Sequence, residues 1–215
     1  MKIGVFDSGV GGKAFVNAIQ TALPEAEVIY KTDREHMPYG TKAPDEIFGY
    51  VVPILKSLET EGCRVIVVAC NTVSTTLIDR LREVITVPLV ATEPMVKPAA
   101  EQTKTKIIAV CATPATLKSD RYQWLKDTYA QGLTVIEPDC SDWARMIEDN
   151  DVDREQVHDR IEAACDAGAD VIVLGCTHYH WIEDIISQEA AGRATVIQPE
   201  TAIMEQLKRV LERLA

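Results

Sequence analysis

The stretch EGCRVIVVAC, residues 61–70, is matched later in the chain by AGADVIVLGC, residues 167–176. Each stretch is typical of a helix end, a glycine cap, a buried run of β-branched residues and a terminal cysteine. Lys2-Ile3 and Lys106-Ile107 open two further segments that match at nearly the same offset. The sequence therefore predicts two similar lobes related by an approximate two-fold axis.

Short apolar segments alternate with amphipathic segments through both halves. We predict strands over residues 2–6, 27–33, 64–70, 87–92, 106–112, 133–138, 170–176 and 194–199, and helices over residues 45–61, 75–84, 117–130, 154–167 and 201–214. Strands that alternate with helices pair in parallel through crossover connections. The predicted fold class is α/β, with two pseudo-symmetric doubly wound lobes, parallel sheets and an active-site cleft between them. We expect residues 1–96 plus 200–215 to form the N-terminal lobe and residues 97–199 the C-terminal lobe.

Composition excludes several classes of function. The net charge of −11 is spread over the chain, whereas nucleic-acid binding needs a clustered basic surface, so we expect no nucleic-acid partner. No apolar run approaches the ~20 residues of a membrane span, and no secretory segment is evident, so we expect no membrane partner and a cytoplasmic location. The six cysteines contain no CxxC pair and no zinc-finger spacing, which predicts free thiols and no metal.

Cys70 and Cys176 differ from the other cysteines because each follows a predicted buried strand. In parallel sheets, ligands bind beyond the carboxyl ends of the strands. If the two lobes face each other, both thiols approach one small-molecule ligand from opposite sides. Such a site suits a reaction whose substrate and product are mirror images.

The loops at the same sheet edge carry small and polar residues. The segment Asp7-Ser8-Gly9-Val10-Gly11-Gly12 follows the first strand, but its order does not match the G-x-G-x-x-G dinucleotide fingerprint. We expect its glycines and the following helix N-terminus to approach a carboxylate of the ligand, with Asp7 either facing the cleft or capping the helix. Thr113 and Thr116 occupy the matching loop of the second half, where they suit either ligand contacts or helix capping.

Four motifs occur in a fixed order: DSGVGG from residue 7, D-x-x-x-x-PYG from residue 33, ACNT from residue 69 and GCTHY from residue 175. In this combination the chain resembles the glutamate racemases of the aspartate/glutamate racemase superfamily over nearly its whole length. The resemblance implies interconversion of L- and D-glutamate without pyridoxal phosphate or metal, usually to supply D-glutamate for bacterial peptidoglycan.

The resemblance also implies roles for individual residues. Cys70 and Cys176 match the two acid/base thiols, Asp7 assists the first and His178 assists the second. Glu148 matches a further assisting glutamate, although Ser141 replaces the proline that the family has after Cys140. The implied substrate contacts are Ser8, Tyr39, Gly40, Asn71, Thr72, Thr113, Thr116 and Thr177.

Two departures from the family pattern lead to further expectations. His180-Trp181 replaces the usual Pro-Leu after GCTHY, and we expect it to alter the pocket wall. Typical members also continue beyond the position of Ala215, so we expect the last helix, or a second copy in a homodimer, to cover the first lobe.

Other functions stay open on sequence grounds. Within the superfamily they are an aspartate or broad-specificity amino-acid racemase, a hydantoin racemase or a decarboxylase, although a decarboxylase needs only one cysteine. Outside it, the alternatives are a catalytically degenerate binding protein and a redox or metal protein that uses the cysteines.

Overall fold

The computed structural model describes residues 1–214 of the chain. The strands are β1 (Lys2–Asp7), β2 (Glu27–Thr32), β3 (Val65–Val68), β4 (Leu89–Ala91), β5 (Ile107–Ala112), β6 (Thr134–Ile136), β7 (Val171–Gly175) and β8 (Thr195–Ile197). The helices are α1 (Lys13–Ala22), α2 (Pro44–Thr60), α3 (Asn71–Val84), α4 (Val96–Gln102), α5 (Pro114–Lys118), α6 (Asp120–Tyr129), α7 (Trp143–Glu148), α8 (Arg154–Asp166), α9 (Glu183–Ala190) and α10 (Glu200–Leu214). Two 3₁₀ helices, Tyr39–Thr41 and Thr177–Ile182, complete the regular structure.

The strands form two four-stranded sheets in which every pairing is parallel. The first sheet has the order β2-β1-β3-β4, and the second has the matching order β6-β5-β7-β8. The predicted α/β class, the parallel pairing and the repeated arrangement of the two halves are therefore confirmed. We call each sheet, together with the helices packed on it, a lobe.

Glycine ends the helix before the third strand of each sheet. Gly62 and Gly168 have φ values of +85° and +97°, a region that glycine enters without steric cost. The next residues, Cys63 and Ala169, donate backbone hydrogen bonds back to Leu58 and Ala164. Both glycine caps predicted from the repeated stretch are thus confirmed.

Two predicted helices differ from the structure. The helix expected over residues 117–130 is broken at Ser119, whose hydroxyl accepts a hydrogen bond from the Tyr122 amide and so starts a new helix, α6. The helix expected over residues 75–84 begins four residues earlier, at Asn71, so that Cys70 is its N-cap. The first residues of α3 are mostly polar and show no apolar periodicity. The apolar pattern therefore does not predict where this helix begins.

Four apolar clusters cover the two faces of each sheet. In the first lobe, Ile203, Met204 and Leu207 of α10 pack with Ile3 of β1 and Phe15 of α1. Full burial of one such aliphatic side chain contributes about 1.5–3 kcal/mol, so α10 is an integral part of the first lobe's core. Among the described residues, none of the helices has the length and apolar character needed to cross a membrane.

Candidate active site

Cys70 and Cys176 are free, buried thiols at the carboxyl ends of β3 and β7. Both line one small cavity between the lobes, together with the first 3₁₀ helix. The volume of this cavity is about 20 Å³, which is enough for about one water molecule. The lobes are therefore closed over the two thiols.

Cys70 is held among groups of the first lobe. Its Sγ lies 3.5 Å from the Ser8 hydroxyl oxygen. Burial, followed by the negative charge of Asp7, raises the pKa of the Cys70 thiol to about 12, although the hydrogen bond to Ser8 opposes the shift. In this closed arrangement Cys70 is a neutral thiol at physiological pH.

The Asp7 carboxylate is completely buried and hydrogen-bonded to three donors. Its Oδ2 accepts from the amides of Gly9 and Gly12, at 3.2 and 3.0 Å, and its Oδ1 accepts from the Thr177 hydroxyl at 3.1 Å. Burial raises the pKa of Asp7, while His178 and these donors oppose the increase. Asp7 therefore braces the loop after β1 against the second lobe, and its charge acts on Cys70 from behind the cavity wall.

Cys176 has a different kind of neighbour. Its Sγ lies 3.8 Å from Nδ1 of His178, and Nε2 of the same ring lies 2.8 Å from Oε1 of Glu148. Burial disfavours the imidazolium, but the hydrogen bonds with Cys176 and Glu148 outweigh it and raise the pKa of His178 to about 10. His178 is therefore a cation at neutral pH and can stabilise negative charge on the adjacent sulfur.

Glu148 lies at the end of α7 in the second lobe and is nearly buried. Burial tends to raise its pKa, but the hydrogen bonds from His178 and the Val10 amide, together with the charges of His178 and Arg34, lower it to about 2. The Val10 amide donates at 2.6 Å and Arg34 at 3.0 Å, both from the first lobe. Glu148 thus orients His178 and also joins the two lobes.

The glycines after β1 permit a close contact between the lobes. A Cβ atom on Gly11 would lie 2.6 Å from the Thr177 carbonyl carbon, and one on Gly9 would lie 2.1 Å from Oε1 of Glu148. The expectation that this loop offers free amides to a ligand does not hold for three of its residues. The amides of Gly9, Val10 and Gly12 are already bonded to protein carboxylates.

Three threonine hydroxyls form a chain across the cleft. The hydroxyl oxygens of Thr72, in the first lobe, and Thr113, in the second, are 2.9 Å apart, and Thr113 donates to Thr116 at 3.0 Å. Thr113 also caps α5 by accepting from the Thr116 amide. The capping interpretation is therefore confirmed for Thr113, which also lines the cavity, whereas Thr116 supports it from behind.

The Tyr39 side chain is fixed by a small polar cluster. Its hydroxyl donates to Asp33, whose carboxylate also lies 2.8 Å from Nδ1 of His36. The His36 ring stacks on Tyr50 with centroids 3.8 Å apart. Burial and the Asp33 carboxylate raise the pKa of Tyr39, which keeps its hydroxyl protonated. The aspartate of the D-x-x-x-x-PYG motif thus acts by holding the tyrosine at the cavity wall.

Asn71 lines the cavity with an amide group that is free to bind a ligand. Neither its Oδ1 nor its Nδ2 has a hydrogen-bond partner within the described residues, although the side chain is buried. An unsatisfied buried amide is costly, roughly 1–3 kcal/mol for each unpaired group. The arrangement favours a polar ligand that satisfies both atoms.

The structure brings most of the predicted site residues to one cavity. Those that line it are Cys70, Cys176, His178, Ser8, Tyr39, Gly40, Asn71, Thr72, Thr113 and Thr177. Asp7, Glu148 and Thr116 lie behind this layer and contact it through hydrogen bonds.

Five residues that line the cavity were not predicted from the sequence: Met37, Pro38, Thr41, Ser141 and Ala144. Three of them flank Tyr39-Gly40, so the PYG motif was a usable signal for that wall. The expected effect of His180-Trp181 on the pocket wall is wrong. Neither residue lines the cavity: His180 lies beside Phe15, with ring centroids 6.0 Å apart, and Trp181 is exposed.

Within the described chain, no group of three or more His, Cys, Asp or Glu side chains is arranged to hold a metal ion. The side chains at this site are two thiols, one beside Ser8 and one beside His178, surrounded by hydroxyl and amide groups. Such a set can move protons to and from the two sides of a small ligand.

Fold and site together define a two-lobed α/β protein with paired thiols in its cleft, and comparison with known proteins agrees with this class. The model of the Asp/Glu/Hydantoin racemase family matches residues 11–207, and the chain belongs to this family. A glutamate racemase of Ralstonia nicotianae is 35% identical over 213 residues, which cover 97% of this chain and 77% of that protein.

Solved structures of similar proteins extend the comparison. Escherichia coli glutamate racemase, in complex with L-glutamate and the activator UDP-MurNAc-ala, superposes with a TM-score of 0.84 at 28% identity, covering 98% of this chain and 82% of that one. Francisella tularensis glutamate racemase, in complex with D-glutamate, gives 0.83 at 28% identity, covering 99% and 81%.

Proposed function

We propose that this protein is a glutamate racemase that moves the α-proton of its substrate with two cysteines, Cys70 and Cys176. The observation that carries the proposal is that two free thiols, at equivalent ends of matching strands, face one cavity walled by both lobes. The similarity to racemases crystallised with L- and D-glutamate supports glutamate as the substrate.

In the proposed reaction, the thiolate of one cysteine removes the α-proton from one face of glutamate. The thiol of the other cysteine then delivers its own proton to the opposite face. The substrate leaves as the other enantiomer, and the two sulfurs have exchanged protonation states. The reverse reaction begins from that exchanged state, so each cysteine serves as base in one direction and as acid in the other.

The partners of the two thiols manage these protons in different ways. His178, a cation beside Cys176, favours negative charge on that sulfur and can return a proton to it. Cys70 is a neutral thiol in the closed site. In the proposal, the ammonium group of the bound substrate offsets the Asp7 charge that disfavours the Cys70 thiolate.

The α-carbanion is the high-energy species, because the proposed reaction uses neither pyridoxal phosphate nor metal, as the family resemblance implies. We assign its stabilisation to donors around the substrate α-carboxylate, chiefly the Asn71 amide and the hydroxyls of Ser8, Thr72 and Thr177. These groups are buried, and electrostatic stabilisation is stronger in a site that excludes water.

The closed cavity is far smaller than a glutamate molecule, so the lobes part to admit substrate. Opening breaks the contacts that cross the cleft, including Thr177 to Asp7, Val10 to Glu148 and Thr72 to Thr113. The bond between Thr72 and Thr113 is worth about 1 kcal/mol, and the two that end on carboxylates are worth about 1.5–3 kcal/mol each. We expect these bonds, together with contacts to the substrate, to favour reclosure.

The test is circular dichroism of L-glutamate and of L-aspartate with the protein in D₂O, without added cofactor. We expect glutamate to lose optical rotation while its α-position gains deuterium. Loss of rotation with aspartate alone would instead identify an aspartate racemase. No change with either amino acid would contradict the proposal and favour a binding protein that has lost its activity.

We extend the proposal to the pathway and the lobe boundaries that the sequence predicts. D-glutamate made in the cytoplasm would supply peptidoglycan synthesis, which is tested by rescue of a bacterial strain that requires D-glutamate. The lobes would comprise residues 1–96 plus 200–215 and residues 97–199. Packing of α10 on α1, β3 and β4 supports its assignment to the first lobe, whereas Val96, at the start of α4, packs with Ile108 and Val173 of the second lobe.

A further inference from the structure

Arg34 is the only side chain of the first lobe that forms an ion pair with Glu148 within the described residues. It follows β2, and its guanidinium Nη2 lies 3.0 Å from Oε2 of Glu148. The Arg34 side chain is 63% exposed, whereas the Glu148 side chain is only 6% exposed. In the sequence it occupies an unspecified position of the D-x-x-x-x-PYG motif, so the motif gave it no role.

Glu148 receives donors from both lobes. Two of them, Arg34 and the Val10 amide, belong to the first lobe, and only His178 belongs to the second. Opening of the cleft therefore removes two of its three donors at once. The remaining contact holds His178 less firmly, because the carboxylate is then free to rotate on its side chain.

We propose that Arg34 is a positioning residue that latches the closed cleft by fixing the Glu148 carboxylate, and through it His178 beside Cys176. Its effect on turnover rests on the proposed racemase function, whereas its effect on closure does not. Arg34 touches none of the cavity-lining groups through a hydrogen bond in the described structure, so it acts only through Glu148.

The geometry explains why an exposed arginine matters here. Ion pairs between two exposed side chains contribute little, because water solvates both partners. Here Glu148 is nearly buried, and its Oε1 already binds His178 and the Val10 amide. The guanidinium is therefore the group that satisfies Oε2 when the lobes close.

The experiment compares Arg34→Gln and Arg34→Lys with a matched control, Arg193→Gln. Arg193 is likewise an exposed arginine paired with a carboxylate, that of Asp166 at 2.7 Å, but both residues lie in the second lobe. Hydrogen exchange at the Val10 amide measures closure, because that amide is bonded to Glu148. Exchange at the buried amides of β1 and β5 measures global stability.

We expect Arg34→Gln to speed exchange at Val10 about three- to fivefold, the size expected when one partner of the pair is exposed. Exchange in β1 and β5 should stay unchanged, and Arg34→Lys should restore most of the protection because it keeps the charge. For glutamate, kcat should fall by a similar factor with little change in KM. The Arg193→Gln protein should behave as the wild type in every measurement.

Unchanged exchange at Val10 in Arg34→Gln would overturn the proposal, as would equal acceleration in β1 and β5. A rise in KM alone would also overturn it, because it would indicate direct contact of Arg34 with substrate. The exchange measurements apply whether or not the wild type racemises glutamate. Failure of the latch and failure of the proposed function are therefore distinguishable.

Discussion

The two lobes share strand order and helix-capping glycines, yet their cysteines have different surroundings. Cys70 leads directly into an α-helix and lies beside Ser8 and the charge of Asp7, whereas Cys176 leads into a 3₁₀ helix and lies beside His178. The repeat thus places two sulfurs at equivalent positions, but the side chains beside them differ. We call each thiol with its neighbours a half-site. In the proposed racemisation this difference is expected, because a chain of L-amino acids cannot offer mirror-image surroundings to mirror-image substrates.

The largest effect is expected from removing either sulfur. Cys70→Ala and Cys176→Ala should each lower racemisation in both directions by at least about 10³-fold, since each direction needs one base and one acid. Each single variant should still eliminate a good leaving group from a substrate analogue, which requires only one base. Normal racemisation in either variant would show that one thiol is dispensable and that the half-sites are not both used.

A smaller loss of activity is expected from Glu148→Gln, which tests how the surroundings of Cys176 differ from those of Cys70. Loss of the carboxylate should lower the pKa of His178, reduce kcat/KM about 30- to 100-fold and move the alkaline limb of its pH profile to lower pH. Glu189→Gln is the control, because Glu189 pairs with the exposed His158 at 2.7 Å. An unshifted alkaline limb in Glu148→Gln would separate His178 from the acid/base chemistry.

The ion pair between His178 and Glu148 also predicts how the stability of the protein depends on pH. The folded-state pKa of His178 is raised to about 10, so its contribution is fully present below its unfolded value of about 6.5 and is lost as pH rises through about 10. The folded-state pKa of Glu148 is lowered to about 2, so its contribution is present above about 4.3 and is lost as pH falls through about 2. Urea unfolding of the wild type and of Glu148→Gln should therefore differ most between about pH 4.3 and 6.5.

Contact between the lobes is tested by Gly11→Ala. The new Cβ would lie 2.6 Å from the Thr177 backbone, and such overpacking typically costs about 1–3 kcal/mol. We expect weaker closure and a loss of kcat/KM of about tenfold. In the control Gly49→Ala, nothing lies within 4 Å of the new atom. That change, in the exposed part of α2, should stabilise the protein by about 0.5–1 kcal/mol and leave activity unchanged.

The smallest effects, on the free energy of unfolding, are expected at Arg64 and Asp170. These two residues occupy matching positions of the repeat. Burial tends to raise the pKa of Asp170, but hydrogen bonds from the Thr103 hydroxyl and from the amides of Lys104 and Thr105 lower it to about 2. Asp170→Asn should cost about 1–2 kcal/mol at neutral pH, and this difference should vanish as pH falls from about 4 through about 2. Arg64→Gln should change the free energy of unfolding by less than about 0.5 kcal/mol. Equal effects in urea unfolding would mean that the two lobes use these positions alike.

The sequence was sufficient to predict features that depend on local pattern or on repetition. Alternating segments predicted all eight strands, and the repeated Gly–strand–Cys stretch predicted the paired sheets and the location of both thiols. Motif resemblance predicted the partners of Cys176. The sequence did not predict interactions between distant parts of the chain, such as the ion pair of Arg34 with Glu148 and the close contact of Gly11 with Thr177. The sequence also did not predict that protein carboxylates accept hydrogen bonds from the amides after β1, because a sequence pattern does not show which acceptor a loop amide binds.

The small volume of the closed cavity has a consequence for the origin of the transferred hydrogen. In the proposed reaction, closure of this compact cleft around the substrate would leave the α-carbanion little access to bulk solvent. The proton delivered to the α-carbon would then be the one that the sulfur already carried when the cleft closed. Deuterium from the medium would enter the product only through exchange at the thiols while the lobes are apart. The timing of label uptake would then report opening and closing of the cleft rather than formation of the bond to carbon.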